Sequence, residues 1–426
     1  MAYKLAVESY SAQKPTTLFE HLGEMKPDVI NLGPGAPGVR NLKRVAELMR
    51  HATEKRLSSE LTAESSAGLL QYGAPAGDPI YLTALQRFLQ EEYQDEVDVA
   101  DLVTTAGASS GLFYILSMLF PRRCTVFCED RTYMIALESM RYLQFGVVPV
   151  ELQSDGLNLS DLESQLQLHA HEPLNADGFR GVLYVVPTFH NPTGRTYSPE
   201  KCRHLVALAR KYKILVVADD VYNLLYYEGS KPPKRLFAYD QKSDADYVGS
   251  VISNGSFSKY LSPGLRVGWL EAPKWFIGRH WCDANPIIDS GGCLNMYTCG
   301  LVGQALIDGA VQQQLRTVRY EYKQAFEAVQ RILKSELPTG CCFDVNSKGG
   351  FFIWIDLPTG INAKDVLAHS TEKYAVKFMP GARFQATANR TDPKRKNCLR
   401  ITFSYYEQDQ VCDAVRKLCE CIREKC

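Results

Sequence analysis

The chain has 426 residues, of which 45% are hydrophobic and 23% are charged, and its 48 basic side chains balance 48 acidic ones. This length exceeds what one compact core needs, so it predicts a large domain together with a smaller one. A net charge of zero gives no indication of a nucleic-acid partner. The longest apolar run, residues 112–120, is about half as long as a membrane span, and we therefore expect no membrane partner.

The thirteen cysteines are odd in number, and several lie in apolar runs typical of strands or helices. No secretory signal precedes them, so the pattern favours reduced thiols over a disulfide framework. Their spacing and the lack of nearby histidines predict no metal site. The first thirty residues contain Glu8, Glu20, Glu24 and Asp28, which argues against a transit peptide and favours the cytoplasm.

Short β-rich runs alternate with helical segments through the centre of the chain, as expected of a mostly parallel sheet between helices in an α/β fold. The predicted strands are residues 102–105, 124–128, 181–186, 214–218, 247–253 and 267–270. The clearest helix follows Ser198, an N-cap residue, and has Pro199 at its first position. Its apolar face is predicted to comprise Cys202, Leu205, Val206 and Ala209.

The pattern changes beyond about residue 300, where a long polar helix is predicted over residues 304–334. Strands near 351–355 and 399–403 follow, and a last amphipathic helix contains Val411 and Leu418. We therefore predict a large domain over 51–300 and a small α+β domain over 301–426. Residues 1–50 are interpreted as an N-terminal arm that belongs in part with the small domain, and the Gly/Pro-rich stretch 33–38 as a loop.

Polar residues that directly follow strands are candidate site residues, because ligands of open α/β sheets lie beyond the carboxyl ends of the strands. Ala108 and Ser109 open an apolar helix after the first strand, where backbone N–H groups can bind a phosphate. The alternative there is a helix cap with nothing bound. Tyr133 follows the second strand and can lie against a flat cofactor or simply pack. Asn191 follows the third, in an Asn-Pro-Thr-Gly turn that would direct its amide inward.

The fourth predicted strand ends in a pair of carboxylates, Asp219 and Asp220, and Tyr222 follows. A carboxylate at the end of a buried strand is costly unless a cation pairs with it, so Asp219 is interpreted as the partner of a protonated ring nitrogen. The alternative is a surface pair that caps the next helix, which accounts well for Asp220 alone. Asn191 and Tyr222 together suit a phenolic oxygen.

Lys259 follows the fifth strand, with Ser256 and Ser258 before it and Arg266 beyond it. Lysine can form an imine with an aldehyde, while the hydroxyls and the guanidinium can bind a phosphate. Taken alone, this cluster is also compatible with a solvated surface lysine. Together with the groups that follow the other strands, it describes the binding site of one molecule, pyridoxal 5'-phosphate (PLP).

These residues, their order and the segment Leu399-Arg400-Ile401-Thr402-Phe403 resemble the class I/II aminotransferases of PLP fold type I over nearly the whole chain. The pattern is most similar to the kynurenine/2-aminoadipate aminotransferase and MocR-like branch. The resemblance implies a large domain with a mostly parallel seven-stranded sheet between helices, and a smaller α+β domain. It also implies a homodimer with shared active sites.

The resemblance assigns a role to each candidate residue. Lys259 would hold the cofactor covalently, Asp219 would pair with its ring nitrogen, and Tyr222 would bind the ring hydroxyl with Asn191. Tyr133 would stack on the ring, Arg400 would bind the substrate α-carboxylate, and Gly35 would lie in a loop that closes over the substrate. The phosphate would be bound by six residues, of which the last comes from the other subunit: Ala108, Ser109, Ser256, Ser258, Arg266 and Tyr72.

The activity implied by the resemblance is a ping-pong transamination between an L-amino acid and a 2-oxo acid, with 2-oxoglutarate as the expected acceptor. Donors similar to 2-aminoadipate, aromatic amino acids or kynurenine are compatible with the pattern. Two alternatives remain open: a PLP-dependent lyase or synthase with the same residues, and a non-catalytic PLP-binding regulator. Arg40 in the arm could recognise a second carboxylate or lie solvated in its loop.

Overall fold

A seven-stranded sheet lies at the centre of the computed structural model, which describes residues 29–62, 64–283, 286–386 and 397–426. Only the strand Gly268–Glu271 runs antiparallel to its neighbours, so the sheet is mostly parallel, as predicted. From edge to edge the strands are Leu102–Thr105, Gly268–Glu271, Val251–Ser256, Ile214–Asp219, Gly181–Val185, Thr125–Glu129 and Gly146–Val150.

Both faces of this sheet are covered, which explains the continuous apolar runs of its central strands. Along Ile214–Asp219, Leu215 and Val217 belong to one hydrophobic core and Val216 to a second core on the opposite face. Side chains alternate between the two faces of a strand, so each residue of this run is buried. The longer helices around the sheet and in the arm are Val39–Glu60, Pro79–Tyr93, Ala108–Leu119, Met134–Tyr142, Leu159–Leu168, Pro199–Tyr212, Pro286–Gly291 and Met296–Ile307.

The helix Pro199–Tyr212 is capped as its sequence predicts. The Ser198 hydroxyl accepts a hydrogen bond from the Lys201 backbone N–H at 3.2 Å, and Pro199 occupies the first turn. The four predicted apolar residues are all buried. Six of the seven strands were expected within a few residues of their observed bounds, and the missed strand is Gly146–Val150. This strand lies at the sheet edge, where proline is tolerated because an edge strand has a neighbour on one side only. Pro149 has no backbone N–H to donate to a neighbouring strand.

A second, antiparallel sheet of four strands belongs to the C-terminal part of the chain. Its strand order is Cys342–Phe343, Phe352–Asp356, Cys398–Thr402 and Met379–Pro380, and its helices are Ala310–Glu336, Ala363–Tyr374 and Gln408–Lys425. The helix predicted over residues 304–334 is wrong in its start. Two helices share this segment, because Gly309 has a φ of +71° and separates Met296–Ile307 from Ala310–Glu336.

Residues 1–28 of the predicted arm lie outside the described ranges, and the remainder of the arm contacts both parts of the chain. Ile30–Asn31 pairs in parallel with Val376–Lys377, residues 32–38 form the predicted loop, and the helix Val39–Glu60 packs against Met296–Ile307. That helix runs through residue 50, while the boundaries at residues 50 and 300 stay predictions.

All thirteen cysteines lie in the described ranges, and none forms a disulfide bond. Across those same ranges, no helix is both long enough and apolar enough to cross a bilayer. The His, Cys, Asp and Glu side chains described there form no group of three or more that could hold a metal ion.

Candidate active site

A cavity of about 1420 Å³ opens beyond the carboxyl ends of the parallel strands. It lies where the large sheet, the loop of residues 32–38 and the small sheet meet, since Gly35, Lys259 and Met379 all line it. Most of the predicted site residues therefore come together at this one position.

Lys259 ends a short 3₁₀ turn that directly follows the strand Val251–Ser256, so its side chain enters the cavity from the sheet edge. Its Nζ donates to the Gly35 carbonyl oxygen at 3.1 Å. Burial lowers the pKa of Lys259 to about 8, and the nearby Arg400 and Arg266 guanidinium groups act in the same direction, against Asp219. The interpretation of Lys259 as a solvated surface lysine is therefore wrong. Its amine loses a proton more readily than that of an ordinary lysine.

Asp219 is the last residue of the strand Ile214–Asp219 and is 6% exposed. Its Oδ2 accepts a hydrogen bond from the Tyr184 hydroxyl at 2.6 Å, while Oδ1 has no hydrogen-bond partner among the described residues. Burial raises the pKa of Asp219 to about 6, and the Tyr184 hydrogen bond and Lys259 oppose that rise. Asp220 is also buried and accepts from the Ser253 hydroxyl, so the alternative of a surface pair that caps a helix is wrong.

Asn191, Tyr222 and Arg400 form a connected group beside Lys259. The Asn191 Nδ2 donates to the Tyr222 hydroxyl at 3.3 Å, and the Arg400 Nη1 donates to the Asn191 Oδ1 at 2.7 Å. The Tyr222 ring centroid is 5.8 Å from the Lys259 Nζ. The turn that follows the strand Gly181–Val185 therefore directs the Asn191 amide towards the site, as its sequence predicts.

Arg400 lies behind Asn191 and does not itself line the cavity. It is 2% exposed, and its guanidinium carbon lies 3.9 Å from the Phe352 ring centroid and 4.7 Å from that of Phe384. Burial lowers its pKa to about 10. Its Nη2 donates to the Gly33 carbonyl oxygen, and its Nε has no hydrogen-bond partner in the part of the chain that the structure describes.

A group of potential phosphate ligands also lines the cavity. The helix Ala108–Leu119 begins there with Gly107 at its N-cap, and no side chain caps it, so Ser109 does not serve as a cap. Arg266 approaches this turn, since its Nη2 donates to the Ala106 carbonyl oxygen at 3.0 Å. Gly268 pairs with both Thr105 and Ser256, and the antiparallel strand thereby brings these segments together.

Ser256 and Ser258 complete this group on the side of Lys259. The Ser256 hydroxyl donates to the Ser258 hydroxyl at 2.8 Å, and both residues line the cavity. Gly107 has a φ of +90°, and an added Cβ would lie only 2.5 Å from the Arg266 Nη2. Glycine is therefore required both by the backbone conformation and by the approach of the guanidinium.

The two remaining aromatic candidates differ in position. Tyr133 precedes the helix Met134–Tyr142 and lines the cavity, and burial raises its pKa to about 12. Tyr72 is 78% exposed and does not line the cavity of its own chain. The structure therefore brings Tyr133, but not Tyr72, to the site within one chain.

Sequence reasoning missed Tyr184, which hydrogen-bonds Asp219, and Arg383, which lines the cavity wall. Tyr184 pairs with Val217, two residues before Asp219 in the neighbouring strand, and its sequence context is that of an ordinary core residue in an apolar strand. Its polar hydroxyl in a strand buried on both faces was the available signal, since such a group requires a partner. No local pattern marks Arg383.

PLP fits the groups that the cavity presents. The unpartnered Oδ1 of Asp219 suits a protonated pyridine nitrogen, because a buried carboxylate is stabilised by an opposite charge. The helix N-terminus at Ala108, with Arg266 facing it, suits a phosphate. The Lys259 amine, with its lowered pKa, suits an aldehyde.

The profile of the family "Aminotransferase class I and II" matches residues 27–418. An aromatic-amino-acid aminotransferase of Thermococcus litoralis is 29% identical over 401 residues, 93% of this chain and 89% of that protein. A 2-aminoadipate transaminase of Thermus thermophilus is 25% identical over 397 residues, 92% and 90% of the two chains. A Pyrococcus horikoshii kynurenine aminotransferase, crystallised with PMP, matches with a TM-score of 0.80, 26% identity and coverage of 97% and 96%. The chain belongs to the class I and II aminotransferases and is a PLP-dependent enzyme of fold type I.

Proposed function

We propose that the protein transfers the amino group of an L-amino acid to 2-oxoglutarate by a ping-pong mechanism. The observation that carries this proposal is the position of the Lys259 amine, whose pKa is lowered to about 8, in the same cavity as the unpartnered Oδ1 of Asp219. Relatives named for aromatic amino acids and 2-aminoadipate support donors of these types, as does the structure of a kynurenine aminotransferase.

When bound, PLP supplies an aldehyde and an electron-accepting ring, which is the chemistry that an amino-group exchange requires. Lys259 would hold the cofactor through its Nζ and, once displaced by a substrate amine, move a proton at that atom. Asp219 would keep the ring nitrogen protonated through Oδ1. Tyr184 contributes to this role because its hydrogen bond stabilises the charged form of the Asp219 carboxylate.

Substrate and cofactor would share the group around Asn191. Its amide and the Tyr222 hydroxyl are 3.3 Å apart and would bind the ring hydroxyl together, with Tyr133 stacked on the ring. Arg400 would bind the substrate α-carboxylate, because its Nε is available as a donor and a guanidinium suits the geometry of a carboxylate. Gly35 would contribute the loop that covers the substrate.

The phosphate would be bound by a second group of cavity residues. Ser256, Ser258 and Arg266 would contribute side-chain donors, and the first turn of the helix Ala108–Leu119 would contribute backbone N–H groups. Ala108 can contribute only its backbone, while Ser109 can add a hydroxyl.

We also propose a homodimer in which Tyr72 reaches the phosphate of the partner's site. Its 78% exposure and its position outside its own cavity are compatible with such a contact. A cytoplasmic location, suggested by the thirteen cysteines without a disulfide bond, stays a prediction.

The proposal is tested on the PLP-loaded enzyme by single-turnover reactions with L-phenylalanine, L-kynurenine and L-2-aminoadipate. We expect at least one donor to replace the visible absorbance of the cofactor with that of pyridoxamine phosphate, and 2-oxoglutarate to restore it. Lys259→Ala removes the covalent anchor and the proton-transferring amine, so its turnover should fall by at least about 10³-fold.

Lys211→Ala is the matched control, because Lys211 is an exposed lysine paired with Glu163 outside the active-site cavity. It should retain wild-type turnover. Release of pyruvate and ammonia without any pyridoxamine phosphate would instead indicate a lyase and contradict the proposal.

A further inference from the structure

The small-domain wall of the active-site cavity carries positive charge without acidic partners. Lys364, Lys377 and Arg383 line this wall, are exposed, and form no ion pair with any described residue. Arg141, which also lines the cavity, is likewise without an ion-pair partner in the described ranges, and Glu138 is an exposed acidic residue of the same lining. A low-dielectric cleft lined by charges of one sign attracts ligands of the opposite sign.

Arg383 is linked to the proposed α-carboxylate site through its neighbours Met379 and Phe384. Its Nη1 is 3.8 Å from the Met379 Sδ, and Met379 pairs directly with Arg400 in the antiparallel small sheet. Side chains of directly opposed residues lie on the same face, with Cβ atoms about 5 Å apart. The next residue, Phe384, packs its ring against the Arg400 guanidinium. Arg383 and Arg400 therefore flank Met379.

The contacts of Arg383 leave its charge available. Apart from the weak thioether acceptor of Met379, its guanidinium has no hydrogen-bond partner among the described side chains. Arg400, in contrast, is already oriented by Asn191 and Gly33. The guanidinium of Arg400 is thus held in place beside the cavity residue Asn191, whereas the guanidinium of Arg383 on the cavity wall is free to adapt, and Met379 contacts it on the side of Arg400.

Arg40, the residue considered from the sequence for a second carboxylate, has a different position. It is paired with Glu407 at 3.1 Å and Glu321 at 3.2 Å, and it does not line the cavity. The charge of Arg40 is therefore balanced outside the site. Arg383 in the small domain is the better candidate for binding a second carboxylate.

We propose that Arg383 determines specificity by binding the side-chain carboxylate of a dicarboxylic substrate while Arg400 binds the α-carboxylate. This inference rests on the proposed transamination. Lys364 and Lys377 increase the local concentration of the dianion without contacting it in a fixed geometry. A substrate that lacks the second carboxylate leaves Arg383 in solvent, where it costs little, so apolar donors are still accepted at the same site.

The test compares wild-type holoenzyme with Arg383→Gln on two oxo acids of matched shape, 2-oxoglutarate and 5-methyl-2-oxohexanoate. The measured quantity is the ratio of their kcat/KM values. We expect Arg383→Gln to lower this ratio by about 10- to 100-fold, the effect of one charge-assisted hydrogen-bonded pair. Arg383→Lys keeps the positive charge but lacks the paired donors of the planar guanidinium. Its ratio should therefore lie between those of Arg383→Gln and the wild type.

Arg40→Gln is the matched control, since it removes an arginine that lies outside the cavity, and it should leave the ratio within about 2-fold of the wild type. An unchanged ratio in Arg383→Gln would overturn the inference. An equal loss on both oxo acids would also overturn it, because it would indicate a general role in folding or in binding the α-carboxylate.

Binding of non-reacting acids separates this inference from the proposed function. Calorimetric titration of the holoenzyme with glutarate and with pentanoate requires no turnover. We expect Arg383→Gln to weaken glutarate binding by at least about 10-fold with little change for pentanoate. If the wild type turns over neither oxo acid but this binding difference holds, the transaminase proposal fails and the dicarboxylate site stands. Equal affinities of wild type and variant for glutarate would disprove the site.

Discussion

The charge state of Asp219 depends on one neighbouring hydroxyl. Burial raises its pKa to about 6, and the Tyr184 hydrogen bond is the largest influence that opposes this rise. A protonated ring nitrogen requires an ionised partner, so in the role proposed for Asp219 the Tyr184 hydroxyl would extend the pH range over which this carboxylate can serve. We therefore expect Tyr184 to be a positioning residue that acts through the Asp219 carboxylate.

Tyr184→Phe is expected to move the acidic limb of the pH profile. Loss of the hydrogen bond raises the pKa of Asp219 further, so the carboxylate is protonated at higher pH than in the wild type. A hydrogen bond to a charged group contributes about 1.5–3 kcal/mol, which corresponds to a shift of about one to two pH units. The measurement is kcat against pH between about 5 and 9.

Tyr197→Phe is the control for this prediction. Tyr197 is also a buried tyrosine whose hydroxyl donates to a carboxylate, at 3.0 Å, but that carboxylate belongs to Glu129. Its removal should leave the acidic limb in place. An acidic limb that stays unchanged in Tyr184→Phe would show that Asp219 does not set it.

Much of the site at the residue scale was predictable, because residues that follow parallel strands meet at one edge of the sheet. This geometry brings Asn191, Asp219 and Lys259 into one cavity from distant positions in the sequence. Arg383 was not predictable in this way. It follows a two-residue strand, and its position depends on how the small sheet packs against the large one.

At the scale of elements, the turn between the strand Leu102–Thr105 and the helix Ala108–Leu119 is the most constrained part of the proposed phosphate site. Gly107 combines a φ of +90° with a close approach to Arg266. We expect Gly107→Ala to displace the Arg266 guanidinium and weaken PLP binding by about 10-fold or more, the loss of about one charge-assisted hydrogen bond. The measurement is the Kd of PLP for the apoenzyme by fluorescence titration.

Gly178→Ala is the control, because Gly178 has a similar φ of +86° but no atom within 4 Å of an added Cβ. Gly178→Ala should lower the free energy of unfolding by about 1–2 kcal/mol, as expected for alanine at a positive φ, and should leave the affinity for PLP unchanged. Equal PLP affinities of Gly107→Ala and wild type would show that this turn does not contact the phosphate.

The elements that sequence patterns missed have local causes. The strand Gly146–Val150 contains glycine and proline, which argue against a strand, and edge pairing to Thr125–Glu129 overrides that preference. The break near Gly309 lies within a segment of continuous helical character, and a single glycine does not distinguish a tolerated residue from a helix end. Tertiary packing decides both.

For the whole molecule, the proposed exchange of Tyr72 between subunits has a direct test. Lys259→Ala and Tyr72→Ala chains are unfolded and refolded together with PLP. If Tyr72 acts in the partner's site, each mixed dimer contains one site with both substitutions and one intact site. Random pairing in a symmetric dimer then gives about a quarter of wild-type activity.

The control is an equal mixture of the two variants combined without unfolding, which should show only the mean of their separate activities. If Tyr72 acts within its own chain, every site in the mixed dimer lacks one residue, and refolding together yields no gain. Size-exclusion chromatography with light scattering establishes the mass of each species.

The pairing of the antiparallel strand Gly268–Glu271 leads us to expect a particular order of folding. It is the strand that pairs with Leu102–Thr105, which therefore has no sheet partner while the ribosome is still producing the intervening residues. Such long-range pairing forms late, after loop closure has been achieved. We therefore expect the helix N-terminus at Ala108 and Arg266 to come together only late in folding, when this pairing has formed. PLP added to a refolding reaction should therefore stabilise the folded enzyme against unfolding, and the rate constant of refolding should stay unchanged.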